Sequence, residues 1–219
     1  SIALRAPWDR ANTTMAAFTP CAACAAEYAE LADHRCHAQT IACPACGPRL
    51  WLERAGARVA EGDAALAAAV AALTAGAIVA LKGVGGWQLV VDATSEAAVA
   101  ELRRRKHREA RPFAVLFCDL DAVARACVID AADRAALVAQ AAPIVLVRTR
   151  SPSGLAPSVA PTSRRTGAML PASPLHILLA GGTARPLVCT SGNLADEPLC
   201  TGDDEARDRL GALADVLLG

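Results

Sequence analysis

The sequence predicts an α/β fold, in which helices cover both faces of a sheet, behind a small cysteine-rich module. From residue 63 onward, apolar strand-like runs alternate with alanine-rich helical stretches, the pattern of a sheet packed between helices. Before that point, two pairs of closely spaced cysteines stand in a stretch too short to bury a core of its own. The chain has 219 residues, enough for one domain of roughly 150 residues plus a small module. We place the domain at 63–219 and the module, with a connector at 56–62, at 1–62.

The elements of the second domain follow from short apolar runs and from residues that start or stop helices. We expect helices at 63–73, 95–105, 119–127, 131–141, 174–180 and 203–218, and strands at 78–81, 89–91, 113–117, 144–147 and 186–189. Asp63 and Ser95 are of the types that cap helix N-termini, whereas Gly76 and Pro112 are of the types that end helices. Residues 149–172 are rich in Ser, Pro, Thr and Gly. They form a candidate functional loop because they are too many for a plain connection.

The overall composition argues against several classes of protein. The formal net charge is zero, so a protein that works mainly by coating nucleic acid is not expected. No apolar run reaches the length of about 18 residues that a membrane span needs, and no secretory signal opens the chain. The nine cysteines are an odd number with paired spacing, which suits metal binding in a reducing cytoplasm better than a disulfide framework.

Four cysteines have the spacing of a tetrahedral metal site. Cys21 and Cys24 form one pair, and Cys43 and Cys46 form another after 18 intervening residues. Such paired thiolates bind Zn²⁺, and a four-thiolate site leaves no open position for water, so we expect a structural role. Because the module is too small to bury a useful core, the metal supplies most of its folding free energy. His37 lies between the pairs and is the alternative to one of the cysteine ligands.

A glycine-rich segment, Lys82–Gly86, follows the first predicted strand of the domain. Ligand loops of α/β sheets stand at such positions. Gly85 and Gly86 allow the backbone to approach an anion, and Lys82 adds positive charge. The segment matches neither standard phosphate-loop pattern, so an ordinary turn is the alternative.

A dense basic run, Arg103–Arg111, ends the second predicted helix of the domain. The favourable interaction of cations with a helix C-terminus explains several of these residues. It does not explain why cations occur on all sides of the helix. Converging cations fit a polyphosphate, because positive charge offsets the repulsion at a reacting phosphorus.

A polar segment, Thr190–Asn193, follows a predicted strand directly. The hydroxyls of Thr190 and Ser191 and the amide of Asn193 are suited to phosphate oxygens or to Mg²⁺. A hydrogen-bonded turn is the alternative. His176 is interpreted as a surface or hydrogen-bonded histidine rather than a base. The scattered cysteines are interpreted as small buried hydrophobes: Cys118, Cys127, Cys189 and Cys200.

Together these segments resemble the HypF family, the carbamoyltransferases of nickel–iron hydrogenase maturation. The resemblance covers essentially the whole chain in order and is carried by Cys21–Cys24 with Glu27 and Tyr28, His37–Gln39, Cys43–Pro48, Lys82–Gly86, Asp92 and Ala93, Arg103–Phe113, Met169–Pro171, Pro174–His176, and Thr190–Asn193. It implies that the second domain has the YrdC-like nucleotide-binding fold, a twisted mixed sheet flanked by helices. It also implies that this domain is truncated at its C-terminal end, and that an acylphosphatase domain and a transferase domain of the full protein are missing.

The function implied by the resemblance is carbamoyl adenylate formation. The substrates are ATP with Mg²⁺ and carbamate released from carbamoyl phosphate, and the carbamoyl group then passes to the C-terminal cysteine of HypE. Lys106 and Arg108 are the implied catalytic, phosphate-contacting residues, and Arg111 stands where the family usually has lysine. Residues implied at the nucleotide pocket are Lys82, Gly85, Gly86, Thr190, Ser191 and Asn193.

Two other functions remain open from the sequence. Threonylcarbamoyl-AMP synthases share the YrdC fold, but an arginine is common in that group where Met169 stands, and the cysteine module is foreign to it. A non-catalytic zinc protein that binds RNA is the other alternative, because the cysteine pairs and the basic helix permit phosphate contacts, which alone give affinity. The resemblance to the YrdC-like fold also implies double-stranded RNA binding at the level of the fold. The low aromatic content of 3% weighs against it, because base stacking needs aromatic side chains.

Overall fold

The computed structural model describes residues 3–194 and 197–219. The chain divides into two compact units, at 1–49 and 50–219. Within the described residues, none of the helices has the length and apolar character of a membrane span.

The first unit is a small module built on turns. Two short 3₁₀ helices, Arg10–Asn12 and Thr14–Ala17, precede helix α1, Ala22–Ala29. Its buried apolar side chains among the described residues are Met15, Cys24 and Ile41. Arg10 ties the opening segment to the turns, because its guanidinium donates to the backbone oxygens of Gln39 at 3.1 Å and Ile41 at 2.7 Å. So few buried side chains cannot stabilise a fold by themselves.

The second unit is a single mixed sheet flanked by helices, which confirms the predicted α/β class. The strands are β1 (Trp51–Arg54), β2 (Ala57–Glu61), β3 (Val79–Lys82), β4 (Trp87–Asp92), β5 (Ala114–Leu116), β6 (Cys127–Val128), β7 (Val145–Thr149), β8 (Arg165–Met169), β9 (Leu187–Ser191) and β10 (Val216–Leu218). The helices are α2 (Gly62–Thr74), α3 (Glu96–Lys106), α4 (Leu120–Ala126), α5 (Ala131–Leu137), α6 (Pro174–Thr183) and α7 (Asp203–Leu210). Across the sheet the order is β2-β1-β10-β3-β4-β9-β5-β8-β7-β6. Only the β10–β3 and β5–β8 pairs among the described strands are parallel.

Alternating strand residues divide the core between the two faces of the sheet. In β3, Ala80 belongs to the core cluster on one face, which includes side chains of α3, α4, α5 and α7, whereas Val79 and Leu81 belong to the cluster on the other face, with α2 and α6. The second face is covered over β3, β4 and β9 but open toward β7, where Ile144 and Leu146 are 56% and 63% exposed. A cavity lies at this open end of the sheet and is lined by Ile144 and Leu146.

Three segments differ from the sequence prediction. The connector at 56–62 is instead part of a hairpin, β1–β2, which turns at Ala55 and Gly56 with φ of 50° and 77°, the conformation of a two-residue hairpin turn. Residues 165–169 of the predicted loop form strand β8. The predicted closing helix ends at Leu210, and Val216–Leu218 pairs with β3 instead. Such short apolar runs suit a helix or a strand equally, and only their pairing partners decide.

Candidate functional site

The four paired cysteines of the first unit converge on one point. Their ligand atoms all lie within 4.8 Å of one another, and the Sγ–Sγ distances are 3.7 Å for Cys21–Cys43, 3.8 Å for Cys43–Cys46 and 3.7 Å for Cys46–Cys24. A tetrahedron with Zn–S bonds of about 2.3 Å has edges of about 3.8 Å, so this donor set fits Zn²⁺.

Local structure explains how each pair of cysteines is placed. The first pair spans the start of α1, with Cys21 as its N-cap. The second pair lies in a turn in which the amides of Cys46 and Gly47 donate to the Cys43 oxygen. Backbone N–H groups of Cys21 and Cys43 lower the pKa of the Cys46 thiol to about 6, because they stabilise a thiolate. His37, the alternative ligand, is outside the described cluster, and its ring lies 5.3 Å from that of Tyr28.

The larger of two adjoining cavities in the second unit lies on the open end of the sheet. Its volume is about 470 Å³. Its floor crosses the sheet from Gln88 on β4 to Leu146 on β7, and Leu199 adds to its largely apolar lining. Among the predicted site residues, those that line this cavity are Gly85, Gly86, Arg108, Thr190 and Ser191.

The smaller cavity has a basic wall. It has a volume of about 290 Å³ and is lined by Lys106–Arg111, by Ser191, and by Asn193 and Leu194. Arg108 and Ser191 line both cavities. A ligand with an anionic end and a flat, less polar end therefore has one continuous surface on which to lie.

Lys106 is buried and joins the basic run to the polar segment after β9. It is 2% exposed, and its Nζ donates to the Ser191 backbone oxygen at 2.6 Å, to Asn193 Oδ1 at 2.9 Å and to the Asn193 backbone oxygen. Burial lowers the pKa of Lys106 to about 8, because it penalises the charged form, and the nearby charge of Arg108 acts in the same direction.

Arg103 organises the basic segment and was not among the predicted site residues. Its guanidinium is buried and donates to five backbone oxygens, those of Arg108, Glu109, Arg111, Ser158 and Val159. It also lies 4.5 Å from the ring centre of Phe113. The signal was present in the sequence, because Val99, Leu102, Arg103 and Lys106 recur at the spacing of one helix face.

The other cations of α3 point away from the cavities, whereas those after the helix face them. Arg104 and Arg105 pair with Glu101, as expected for a solvated helix end. Arg108 is held by the backbone oxygens of Arg111 at 3.2 Å and Pro112 at 2.7 Å. Arg111 is exposed and lines the smaller cavity.

One glycine of the glycine-rich loop and one of the Thr190–Asn193 segment each lie close to a neighbouring stretch of backbone. Gly86 has a φ of +145°, and a Cβ there would lie 2.8 Å from the Cys200 backbone oxygen. At Gly192 a Cβ would lie 2.7 Å from the Trp87 oxygen, which accepts the Gly192 amide. Lys82, by contrast, pairs with Asp203 and lines neither cavity.

The polar side chains of the second segment bond to each other. Ser191 Oγ donates to Asn193 Oδ1 at 2.6 Å, and Asn193 Nδ2 donates to the Glu197 oxygen at 2.6 Å. The amide of Asn193 is thus fixed from both ends beside the Lys106 ammonium.

The residues interpreted as structural are largely so. His176 is buried, and its Nε2 lies 2.8 Å from Gln88 Oε1, which confirms a hydrogen-bonded histidine. Cys127, Cys189 and Cys200 are buried, whereas Cys118 is half-buried.

Two family models match the chain. The model described as Telomere recombination, for the Sua5, YciO and YrdC proteins, matches residues 71–219, and the model described as HypF finger matches residues 21–53. A solved structure of P. abyssi Sua5 complexed with L-threonine covers 68% of the chain and 45% of its own, with a TM-score of 0.61. At 16% identity, this likeness concerns the fold alone.

Curated relatives and solved structures named HypF also match the chain. Carbamoyltransferase HypF of Rhodobacter capsulatus is 50% identical over all of the chain and 29% of its own length. A crystal structure of full-length HypF in the phosphate- and nucleotide-bound form is 40% identical, with a TM-score of 0.89 over all of the chain and 28% of its own. HypF of T. kodakarensis is 34% identical, with a TM-score of 0.91 over 99% of the chain and 28% of its own. The chain belongs to the HypF family and spans less than a third of the length of these relatives.

Proposed function

We propose that the second unit joins carbamate, released from carbamoyl phosphate, to ATP as carbamoyl adenylate. The observation that carries this proposal is the meeting of a basic cavity and a largely apolar cavity at Arg108 and Ser191. The basic cavity suits the phosphates and the apolar one suits a nucleoside. A full-length HypF has been crystallised with phosphate and nucleotide, which supports a nucleotide as ligand.

The reaction needs positioning and charge rather than a side-chain nucleophile. A carbamate oxygen attacks the α-phosphorus of ATP, the bond to the β-phosphate oxygen breaks, and pyrophosphate leaves with its electron pair. Arg108 and Arg111 face the phosphates and offset the growing negative charge. The positive charge of buried Lys106 also acts on the phosphates. Its N–H groups hold the segment that carries Ser191 and Asn193. Mg²⁺ enters with ATP as part of the substrate.

The proposal also concerns the zinc site, the other steps of the reaction and the location of the protein. Zn²⁺ held by the four cysteines is structural, because a closed four-thiolate site offers no position for substrate. The proposal assigns neither carbamoyl transfer to HypE nor acylphosphatase activity to the second unit. The nine cysteines all lie among the described residues and form no disulfide there, which supports a cytoplasmic location.

Pyrophosphate release tests the proposal. The protein is given Mg-ATP with ammonium carbamate, or with carbamoyl phosphate in the presence or absence of an added acylphosphatase domain. We expect release with carbamate, and release from carbamoyl phosphate only when the acylphosphatase is added. Arg108→Ala is expected to lower the rate at least about 10-fold, whereas Arg104→Ala, on the outward face, leaves it unchanged. Release that requires threonine instead would favour the threonylcarbamoyl-AMP alternative.

A further inference from the structure

Gln88 stands at the floor of the larger cavity, directly across from Ser191. The two residues are paired in register between β4 and β9, so their side chains share one face of the sheet, and Cβ atoms of such pairs are about 5 Å apart. Both line the larger cavity. Gln88 therefore lies beside the point at which the two cavities meet.

The oxygen of the Gln88 amide accepts hydrogen bonds from two side chains of the protein and so is not available to a ligand. The Ala172 amide donates to His176 Nδ1 at 3.5 Å, which leaves the single proton of a neutral imidazole on Nε2, and this N–H donates to Gln88 Oε1 at 2.8 Å. The Cys189 thiol lies 3.4 Å from the same oxygen and donates to it. Burial lowers the pKa of His176 and raises that of Cys189 to about 12, so both groups keep these protonation states at neutral pH.

The nitrogen of the same amide is left open to the cavity. Among the described residues, the buried side-chain nitrogens and oxygens without a hydrogen-bond partner are Arg10 Nε and Trp87 Nε1. Gln88 Nε2 has no hydrogen bond to a described residue and is not one of these buried atoms, so within the described part of the chain it is open to the cavity that Gln88 lines. A fixed amide thus presents two N–H donors, and no acceptor, at the cavity floor.

We propose that Gln88 is a specificity-determining residue that binds a carboxylate oxygen of the carbamate through its side-chain N–H. This rests on the proposed function, since it names the group that meets the α-phosphate. The position of Gln88 beside Ser191 favours carbamate over the nucleobase as the group that it binds. The attacking carbamate oxygen must reach the α-phosphorus where the two cavities join. The apolar surface for a nucleoside extends instead toward Leu146. The chemistry recognised is a small planar acid with two oxygens.

Two substitutions separate this role from a structural one. Gln88→Glu keeps an acceptor for His176 and Cys189 but replaces the donors with a negative charge that repels carbamate. Gln88→Leu removes the donors without adding charge. The matched control is Gln140→Glu, the same change at an exposed position outside both cavities. Thermal unfolding checks that each variant folds, and Gln88→Glu carries the test if Gln88→Leu does not.

The measurements are the rate of pyrophosphate release against ammonium carbamate at saturating Mg-ATP, and AMP affinity by calorimetry. We expect kcat/KM for carbamate to fall about 10-fold or more in both variants, the effect of one hydrogen bond to a charged group, with AMP affinity within about twofold of wild type. An unchanged kcat/KM for carbamate, or an equal loss of AMP affinity, would overturn the assignment of Gln88 but not the proposed function. Wild-type protein that binds AMP but releases no pyrophosphate would overturn the proposed function and this assignment with it.

Discussion

The ammonium group of buried Lys106 donates to the backbone oxygen of Ser191 at 2.6 Å. This bond joins the end of α3 to the end of β9, so the basic wall and the polar segment of the site are placed by one side chain. Lys106 is therefore as much a structural residue as a source of charge.

Lys106→Met is expected to lower the free energy of unfolding by about 2–3 kcal/mol, because the oxygens of Ser191 and Asn193 lose their buried donor. The chain has one other lysine, Lys82, which pairs with Asp203 at the surface. Lys82→Met serves as the matched control and is expected to cost at most about 1 kcal/mol. Urea unfolding of both variants measures the difference. Equal losses would show that the Lys106 bonds do not stabilise the fold.

The titration of Lys106 predicts a dependence on pH. Its pKa is about 8 in the folded chain and about 10.4 in an unfolded one. Between these values the unfolded chain holds the proton and the folded chain does not, so this group makes the free energy of unfolding rise with pH from about 8 to 10. Below pH 8 it contributes no slope. Urea unfolding across this range compares wild type with Lys106→Met, which should lack the rise; parallel curves would contradict the prediction.

Arg103→Lys tests the anchor of the basic segment. Lysine keeps the charge but cannot reach five backbone oxygens with a planar fork. We expect a loss of about 2–3 kcal/mol in the free energy of unfolding. We also expect AMP affinity to fall at least about fivefold, because Arg108 and Arg111 are no longer held at the cavity. Arg104→Lys, one position along the same helix and 72% exposed in its side chain, is the control. Loss of stability with unchanged AMP affinity would separate Arg103 from the site.

Features that depend on the residues of one helix could be predicted from the sequence, whereas features that depend on the pairing of distant strands could not. The face of α3 that carries Arg103 and Lys106 can be predicted from helix periodicity alone. Strand β10 could not, because Val216–Leu218 is a strand only through its pairing with β1 and β3. The same holds in the site: Gln88 meets Ser191 and His176 through the register of distant strands and the docking of α6, which no local pattern encodes.

Removal of Zn²⁺ should unfold the first unit and spare the second. The first unit, 1–49, has few buried apolar side chains, so its folding depends on the metal, whereas 50–219 has its own core on both faces of a sheet. With a chelator, hydrogen exchange measured by mass spectrometry should show lost protection in peptides from 3–49 and retained protection in β3, β4 and β9. Cys46→Ser should reproduce this pattern. Cys36→Ser, a cysteine of the same unit outside the cluster, should not. Loss of protection in both units together would show that the sheet domain depends on the metal as well.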